Sequence, residues 1–339
     1  MQVLLCFSSQ CAIVKEKSKG VLILNKVAVL GAGTMGPGIA ITYALHGCET
    51  AVYSRTQKTL DSAKSVIEGS LQLLVDEQQI TANASAAAIS KLTYTTDLTQ
   101  AVEGAWYIAE TIVEKPEPKR ELYCQLDAIL PADVIIASNT SYLNMFELLP
   151  ERRQPYSLIS HWYAPAHILP LVEIVRGPKT LDQVMDKVTD FHNACGKTAV
   201  RMEKFIHGFI VNRMQSAMTR EVLYLVENGY CTPEDIDLAV KTSLMPRGLL
   251  LGLVQRMDFN GLDMVANGLN NKKFTPSPVV EHPQFIFEHV DKGEYGVKSG
   301  KGLYDYSHQS QVETLNHRDK LLLKSVALAN ETIKKPLNK

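Results

Sequence analysis

A glycine-spaced turn between two short apolar runs constrains this chain most. Val27-Ala28-Val29-Leu30 has the length of a buried strand, and Gly31-Ala32-Gly33-Thr34-Met35-Gly36 follows it directly as a G-x-G-x-x-G. The apolar stretch Ile39 to Leu45 continues as a helix and closes at Gly47, a residue type that tolerates the left-handed conformation at helix ends. Thr50-Ala51-Val52-Tyr53 then reads as a second strand. Strand, glycine turn, helix and strand within about thirty residues is the context that turns a weak glycine pattern into a dinucleotide-binding unit. In that reading Gly31 allows the tight turn, Gly33 admits the pyrophosphate, and Gly36 lets helix pack on strand. Thr34 and Met35 open the helix whose N-terminus faces the phosphates.

The end of the second strand narrows the cofactor. An acidic residue there would accept hydrogen bonds from the ribose hydroxyls of NAD. Ser54-Arg55 stands in that place, with Thr56 and Lys58 just beyond. A hydroxyl and a guanidinium suit the 2′-phosphate of NADP, which a carboxylate would repel. The alternative is that Arg55 stacks on the adenine and NAD binds.

At 339 residues the chain has room for two domains. Its net charge of −1 gives no electrostatic case for nucleic acid or an anionic membrane, and no apolar run approaches a membrane span. The six cysteines, at 6, 11, 48, 124, 195 and 231, form no C-x-x-C and no metal spacing, so they read as reduced thiols of a cytoplasmic protein. Residues 1–22 precede the first strand. Their apolar part is short, interrupted by Ser8-Ser9-Gln10 and preceded by no basic residue, which suits a flexible extension or an upstream start choice better than an export signal.

Downstream, apolar strands alternate with helices, which implies a doubly wound, mainly parallel sheet covered on both faces. A helix is expected over about 60–79, its buried face formed by Ala63, Val66, Ile67, Leu71, Leu74 and Val75. Strands are expected at Leu92–Tyr94, Ala105–Ala109 ending at Glu110, Val134–Ser138, Leu158–Ser160 and Leu171–Val175, with a helix over Pro118–Leu130. Thr180 and Gln183 fit a capping box opening a helix that stops at Gly196, and Thr198–Met202 makes a last strand. A Rossmann-like domain over 23–204 is thus followed by an all-helical domain over 205–306 and a helical tail over 307–339. The tail's docking face comprises Leu321, Leu322, Leu323, Val326 and Ala327.

Polar residues cluster where apolar runs end, the place at which open α/β sheets hold their sites. They are Ser138-Asn139-Thr140-Ser141, then His161-Trp162-Tyr163-Ala164-Pro165 with Glu173 further on, then Gly208-Phe209-Ile210-Val211-Asn212-Arg213. With Gly31–Gly36, with Asp258-x-x-Gly261-Leu262-Asp263, and with the glycine-rich segment Gly296 to Tyr306, these resemble the 3-hydroxyacyl-CoA dehydrogenase family over about residues 24–306. The resemblance implies an NAD(P)-dependent oxidoreductase that dimerises through its helical domain. It implies His161 as general acid and base, Glu173 as the acid that orients it, Ser141 as donor to the reacting oxygen, and Asn212 reaching the site from the second domain. Glu110 and Asn139 fall where the family lines the nicotinamide ribose region.

Two departures bear on substrate. Ala164 stands where the family usually has asparagine. Ser70 matches the CoA-binding hairpin, but Glu77, beside Asp76, replaces an expected lysine and would repel a CoA phosphate. A free 3-hydroxy acid is therefore the expected substrate, with an authentic 3-hydroxyacyl-CoA dehydrogenase as the alternative and a crystallin-like nucleotide-binding protein behind both. Arg247, in Met245-Pro246-Arg247 between two helices of the second domain, is the candidate grip for a free carboxylate. The competing reading makes it a surface arginine at a helix boundary. No residue cluster suggests a metal.

Overall fold

A computed structural model of the chain describes residues 26–271 and 276–334; the N-terminal extension lies outside these. The chain divides into two compact units between Asn212 and Arg213.

The first unit is built on an eight-stranded sheet. Its strands are β1 (Lys26–Leu30), β2 (Glu49–Tyr53), β3 (Leu92–Thr95), β4 (Tyr107–Glu110), β5 (Ile135–Ser138), β6 (Ser157–Trp162), β7 (Leu171–Arg176) and β8 (Thr198–Met202). They lie in the order β3-β2-β1-β4-β5-β6-β7-β8. Every neighbouring pair is parallel except β6 and β7. Strands β1 and β4 are buried on both faces, so they read as continuous apolar runs rather than alternating ones. One core gathers Val27, Val29, Ile39, Tyr43, Leu71, Tyr107, Trp162 and Phe191. The other, across the sheet, gathers Ala28, Leu30, Ile108, Leu126, Ile136 and Phe146.

The helices include α1 (Gly36–Leu45), α2 (Gln57–Asp76), α3 (Ala82–Ser90), α4 (Leu98–Val102), α5 (Pro116–Ile129) and α6 (Asp182–Ala194). Helix α2 starts earlier than its apolar spacing suggests because the Thr56 hydroxyl accepts the Thr59 amide as an N-cap. It buries Leu60, Ala63, Ile67, Leu71 and Leu74, but Val66 is 54% exposed, because the step from Ile67 turns it about 100° off the face. Helix α3 has no counterpart in the apolar pattern. It is a small, alanine-rich helix capped by Thr81, and Ala88 is its one buried residue. Thr180 forms no capping box. Its hydroxyl donates to the Ser157 carbonyl and accepts the Gly177 amide, while Leu181 is the uncapped residue before α6.

The second unit is helical among its described residues: α7 (Val211–Glu227, beginning just before the unit boundary), α8 (Pro233–Ala239), α9 (Met245–Asn260), α10 (Leu262–Asn270), α11 (Gln284–Asp291) and α12 (Gln311–Lys334). A wide helical turn over Val240–Leu244 joins α8 to α9. Met245-Pro246-Arg247 therefore opens a helix instead of linking two, proline being tolerated in the first turn. Arg247 is exposed there, its guanidinium donating to the Ser243 carbonyl and hydroxyl. On α12, Leu322, Leu323, Val326 and Ala327 are half-buried, whereas Leu321 is exposed. Among the described residues 213–334 no aliphatic or aromatic side chain counts among the buried core.

Candidate active site

The glycine turn forms a cradle at the carboxyl end of β1. Gly31 has φ +117°, and a side chain there would press on the Thr111 carbonyl 2.5 Å away. A side chain at Gly36 would collide with the Gly31 carbonyl. Gly33 differs: nothing among the described residues lies within 4 Å of where its side chain would stand. Thr34 is exposed and Met35 half-buried beside it. No side chain caps α1, so its first amides keep their donors for an anion. These residues fit a dinucleotide pyrophosphate. At the end of β2, Ser54 is half-exposed and Arg55 exposed.

Further along the same sheet edge, the one antiparallel pair sets His161 on β6 directly opposite Glu173 on β7. Opposed residues of such a pair project from the same face, so the strand register itself joins them. His161 Nδ1 lies 2.8 Å from Glu173 Oε2, and the two residues are 3% and 0% exposed. The same oxygen accepts the Tyr163 hydroxyl at 2.8 Å. Oε1 accepts the amides of Ile210 and Val211 at 3.0 and 3.1 Å. Those amides converge because Gly208 and Phe209 both have positive φ, 78° and 50°, a left-handed turn whose successive N–H groups make an anion nest. Burial alone would raise the Glu173 carboxyl, but the hydrogen bonds from His161, Tyr163 and Val211 outweigh it and hold the group below its ordinary range.

An ionised Glu173 can only accept, so Nδ1 of His161 carries a hydrogen, and in the neutral ring Nε2 presents a lone pair. Ser141 Oγ stands 3.3 Å from that Nε2. The Ser141 loop is held by Glu114, whose Oε1 accepts the Ser141 and Tyr142 amides at 2.8 and 3.0 Å and the Thr140 hydroxyl. Burial would raise the Glu114 carboxyl as well. The Thr140 and Tyr142 hydrogen bonds, the Lys119 charge and the Ser141 amide together bring it below its ordinary range.

The structure thus brings His161, Glu173 and Ser141 together. Asn212 is the second residue of α7, half-buried, and belongs to the first unit rather than reaching in from the second; its backbone acts on the Tyr163 phenol. Asn139 lies nearby as a brace: its Oδ1 accepts the Trp162 amide at 2.9 Å and its Nδ2 reaches Thr111 Oγ1 at 3.4 Å. Glu110 departs from the expectation that it lines the ribose region. Its side chain is fully buried and its oxygens are taken by Lys119 Nζ at 2.7 and 2.8 Å, the Ile112 amide, Tyr123 and Ser138. A carboxylate so paired stays in the core, because an open ligand face would strip partners from a buried charge. Ser70 is half-buried on α2, remote in sequence from these groups.

Sequence reasoning missed Tyr163, Glu114, Lys119 and the two nest amides. The signals for two of them were present: Tyr163 is two residues beyond His161 and so on its face, and Gly208 marks the left-handed turn. Among the described residues no group of three or more His, Cys, Asp or Glu could hold a metal, and no helix is long and apolar enough to cross a membrane.

The NAD-binding domain of 3-hydroxyacyl-CoA dehydrogenase matches residues 26–205, and the C-terminal domain of the same family matches residues 208–306. The chain belongs to the 3-hydroxyacyl-CoA dehydrogenase family. Within this family of oxidoreductases it is 34% identical to a probable 3-hydroxybutyryl-CoA dehydrogenase of Deinococcus radiodurans, over 83% of this chain and 100% of that one. It is 29% identical to a 5-formyl-3-hydroxy-2-methylpyridine 4-carboxylate 5-dehydrogenase of Mesorhizobium japonicum, over 84% of this chain and 92% of that one. A crystal structure of a dehydrogenase of that pyridine carboxylic acid, described as an NAD+-dependent dismutase, superposes with a TM-score of 0.78 at 26% identity, covering 90% of this chain and 98% of that one.

Proposed function

We propose that the protein interconverts a free 3-hydroxy acid and its 3-oxo acid, with NADP as the preferred cofactor and His161 as general acid and base. The observation that carries this is the His161–Glu173 pair, buried and aimed through Nε2 at the Ser141 hydroxyl. In oxidation Nε2 takes the hydroxyl proton of the alcohol, and Glu173 stabilises the imidazolium so formed. Ser141 Oγ hydrogen-bonds the reacting oxygen and holds it against Nε2. When bound, the nicotinamide supplies the acceptor or donor of the hydride at the carbinol carbon. In reduction Nε2 returns the proton to the ketone oxygen. Asn212, in the first turn of α7, is assigned to the substrate side of the same site.

The free acid is favoured over a CoA thioester by Asp76 and Glu77, which lie about two helical turns beyond Ser70 at the end of α2. The preference for NADP rests on exposed Arg55 beside Ser54, where the family's NAD ribose would meet an acid. The thioester reading retains support from Ser70 and from the kinship with 3-hydroxybutyryl-CoA dehydrogenases. A homodimer is supported by the apolar side chains that α9 and α10 leave exposed, Leu250, Val254, Phe259, Leu262 and Met264 among them.

A panel of free 3-oxo acids and their CoA thioesters, each with NADH and NADPH, tests this. Turnover of a free acid with NADPH at least about tenfold above the thioester is expected. Exclusive turnover of thioesters would transfer the reading to fatty-acyl metabolism.

A further inference from the structure

We infer that Tyr163 is a positioning residue for the His161–Glu173 pair, balancing proton transfer between oxidation and reduction by sharing the carboxylate oxygen that the histidine uses. The inference rests on the proposed acid–base role of His161. Three contacts point to it. The Tyr163 hydroxyl donates to Glu173 Oε2 at 2.8 Å, matching the distance from that oxygen to His161 Nδ1. The rings of Tyr163 and His161 meet edge to face with centroids 4.6 Å apart, so the phenol also restrains the imidazole plane. The Asn212 backbone also lies near enough to the phenol oxygen to favour its charged form.

The groups facing the pair leave little else to tune it. β6 contributes His161, and on β8 Val200 stands opposite Glu173. The turn before α7 contributes Phe209, 5.0 Å from the His161 ring, and the Ile210 and Val211 amides. The Ser141 loop brings a hydroxyl, with Glu114 behind it on the loop's amides. Among the described residues, Tyr163 is the one side chain besides His161 that donates to Glu173.

A donor on Oε2 draws negative charge from that oxygen, and the imidazolium beside it is held less tightly. His161 can then release the proton that it accepts. Without the hydroxyl the carboxylate grips the charged ring more strongly, so at a given pH less of the neutral ring that oxidation needs is present and more of the protonated ring that reduction needs. Burial and the Glu173 contacts keep the Tyr163 phenol itself well above its ordinary range, so it stays protonated and acts as donor throughout.

The test is Tyr163→Phe, which keeps the ring and its packing, measured in both directions across pH with a substrate from the panel. The acid limb of kcat/KM for oxidation and the basic limb for reduction should both move upward by about 0.5–1 pH unit, with NADP(H) affinity unchanged. The same substitution in a Glu173→Gln background should move neither limb further. Tyr163→Leu, which removes ring and hydroxyl together, should shift the limbs equally and lower kcat as well. Unmoved limbs in Tyr163→Phe, or an equal shift on both backgrounds, would overturn the inference. His161→Ala separates the two readings: turnover within about twofold of the unsubstituted enzyme removes the acid–base role itself. Loss of at least about a hundredfold, with unmoved Tyr163→Phe limbs, removes only the tuning.

Discussion

Replacing Glu173 with glutamine changes one atom and confronts four donors. The carboxylate accepts two hydrogen bonds on each oxygen, from His161 and Tyr163 on Oε2 and from the Ile210 and Val211 amides on Oε1. The new NH2 must displace one pair. Facing the amides, it would oppose two N–H groups fixed by the backbone and leave both unpaired, at about 1–3 kcal/mol each. Facing the other pair costs less, because the phenol hydroxyl can rotate to accept and the imidazole can change tautomer. The amide therefore turns towards His161, whose Nδ1 becomes an acceptor and whose Nε2 acquires the hydrogen. Nε2 is then no base. Expected are near-normal cofactor binding, a stability loss of about 1–3 kcal/mol and a fall in kcat for oxidation of about 10³–10⁴-fold, the scale of a wrong-tautomer histidine. Initial rates from nicotinamide absorbance, with cofactor affinity from fluorescence, provide the assay. Retention of turnover within about threefold would refute the tautomer argument. The stability effect has a sign in pH. Glu173 is depressed in the folded state, so its contribution is complete above the unfolded carboxyl value of about 4.3 and disappears as pH falls through the folded value. The variant's deficit in urea denaturation should shrink accordingly below about pH 4.

Arg55→Ala should weaken NADP(H) by about 1.5–3 kcal/mol and leave NAD(H) nearly unchanged in fluorescence titrations; equal losses would make Arg55 an adenine-stacking residue. Gly33→Val should fold normally, since its side chain meets open space, yet bind either cofactor at least about tenfold more weakly. Gly36→Ala should instead lose about 1–3 kcal/mol in urea denaturation, because the Gly31 carbonyl cannot yield without moving the turn. Light scattering should give twice the chain mass, and charging the exposed α9–α10 surface with Leu250→Glu and Val254→Glu should halve it.

The sheet was legible because its central strands are buried on both faces, leaving apolar runs such as Val27–Leu30 and Ile135–Ala137 that nothing else explains. The family's six ordered segments carried both domains at once. The misreadings were local. Thr180 and Gln183 match a capping box in spacing, yet the Thr180 hydroxyl finds better partners across the chain at Ser157 and Gly177. Val66 is apolar on a helix whose face it does not share. Glu110 ends a strand like a site residue, but Lys119, nine positions on and one turn into α5, satisfies it from within. Tyr163 shares the face of His161 by its spacing, but an aromatic residue after a strand does not by itself name the carboxylate that it meets ten residues on in the returning strand.

The placement of His161 against Glu173 by register has a further consequence, for how the chain can be edited. The segment between the strands, Tyr163 to Pro170, spans the return without setting which residues oppose. Its length can change while the pair stays matched, as far as the braces it carries allow. A single residue gained or lost inside either strand is another matter, for it turns one partner to the opposite face of the sheet. Insertions that remodel the neighbourhood of the site are thus open to the loop, and the strands admit substitution alone.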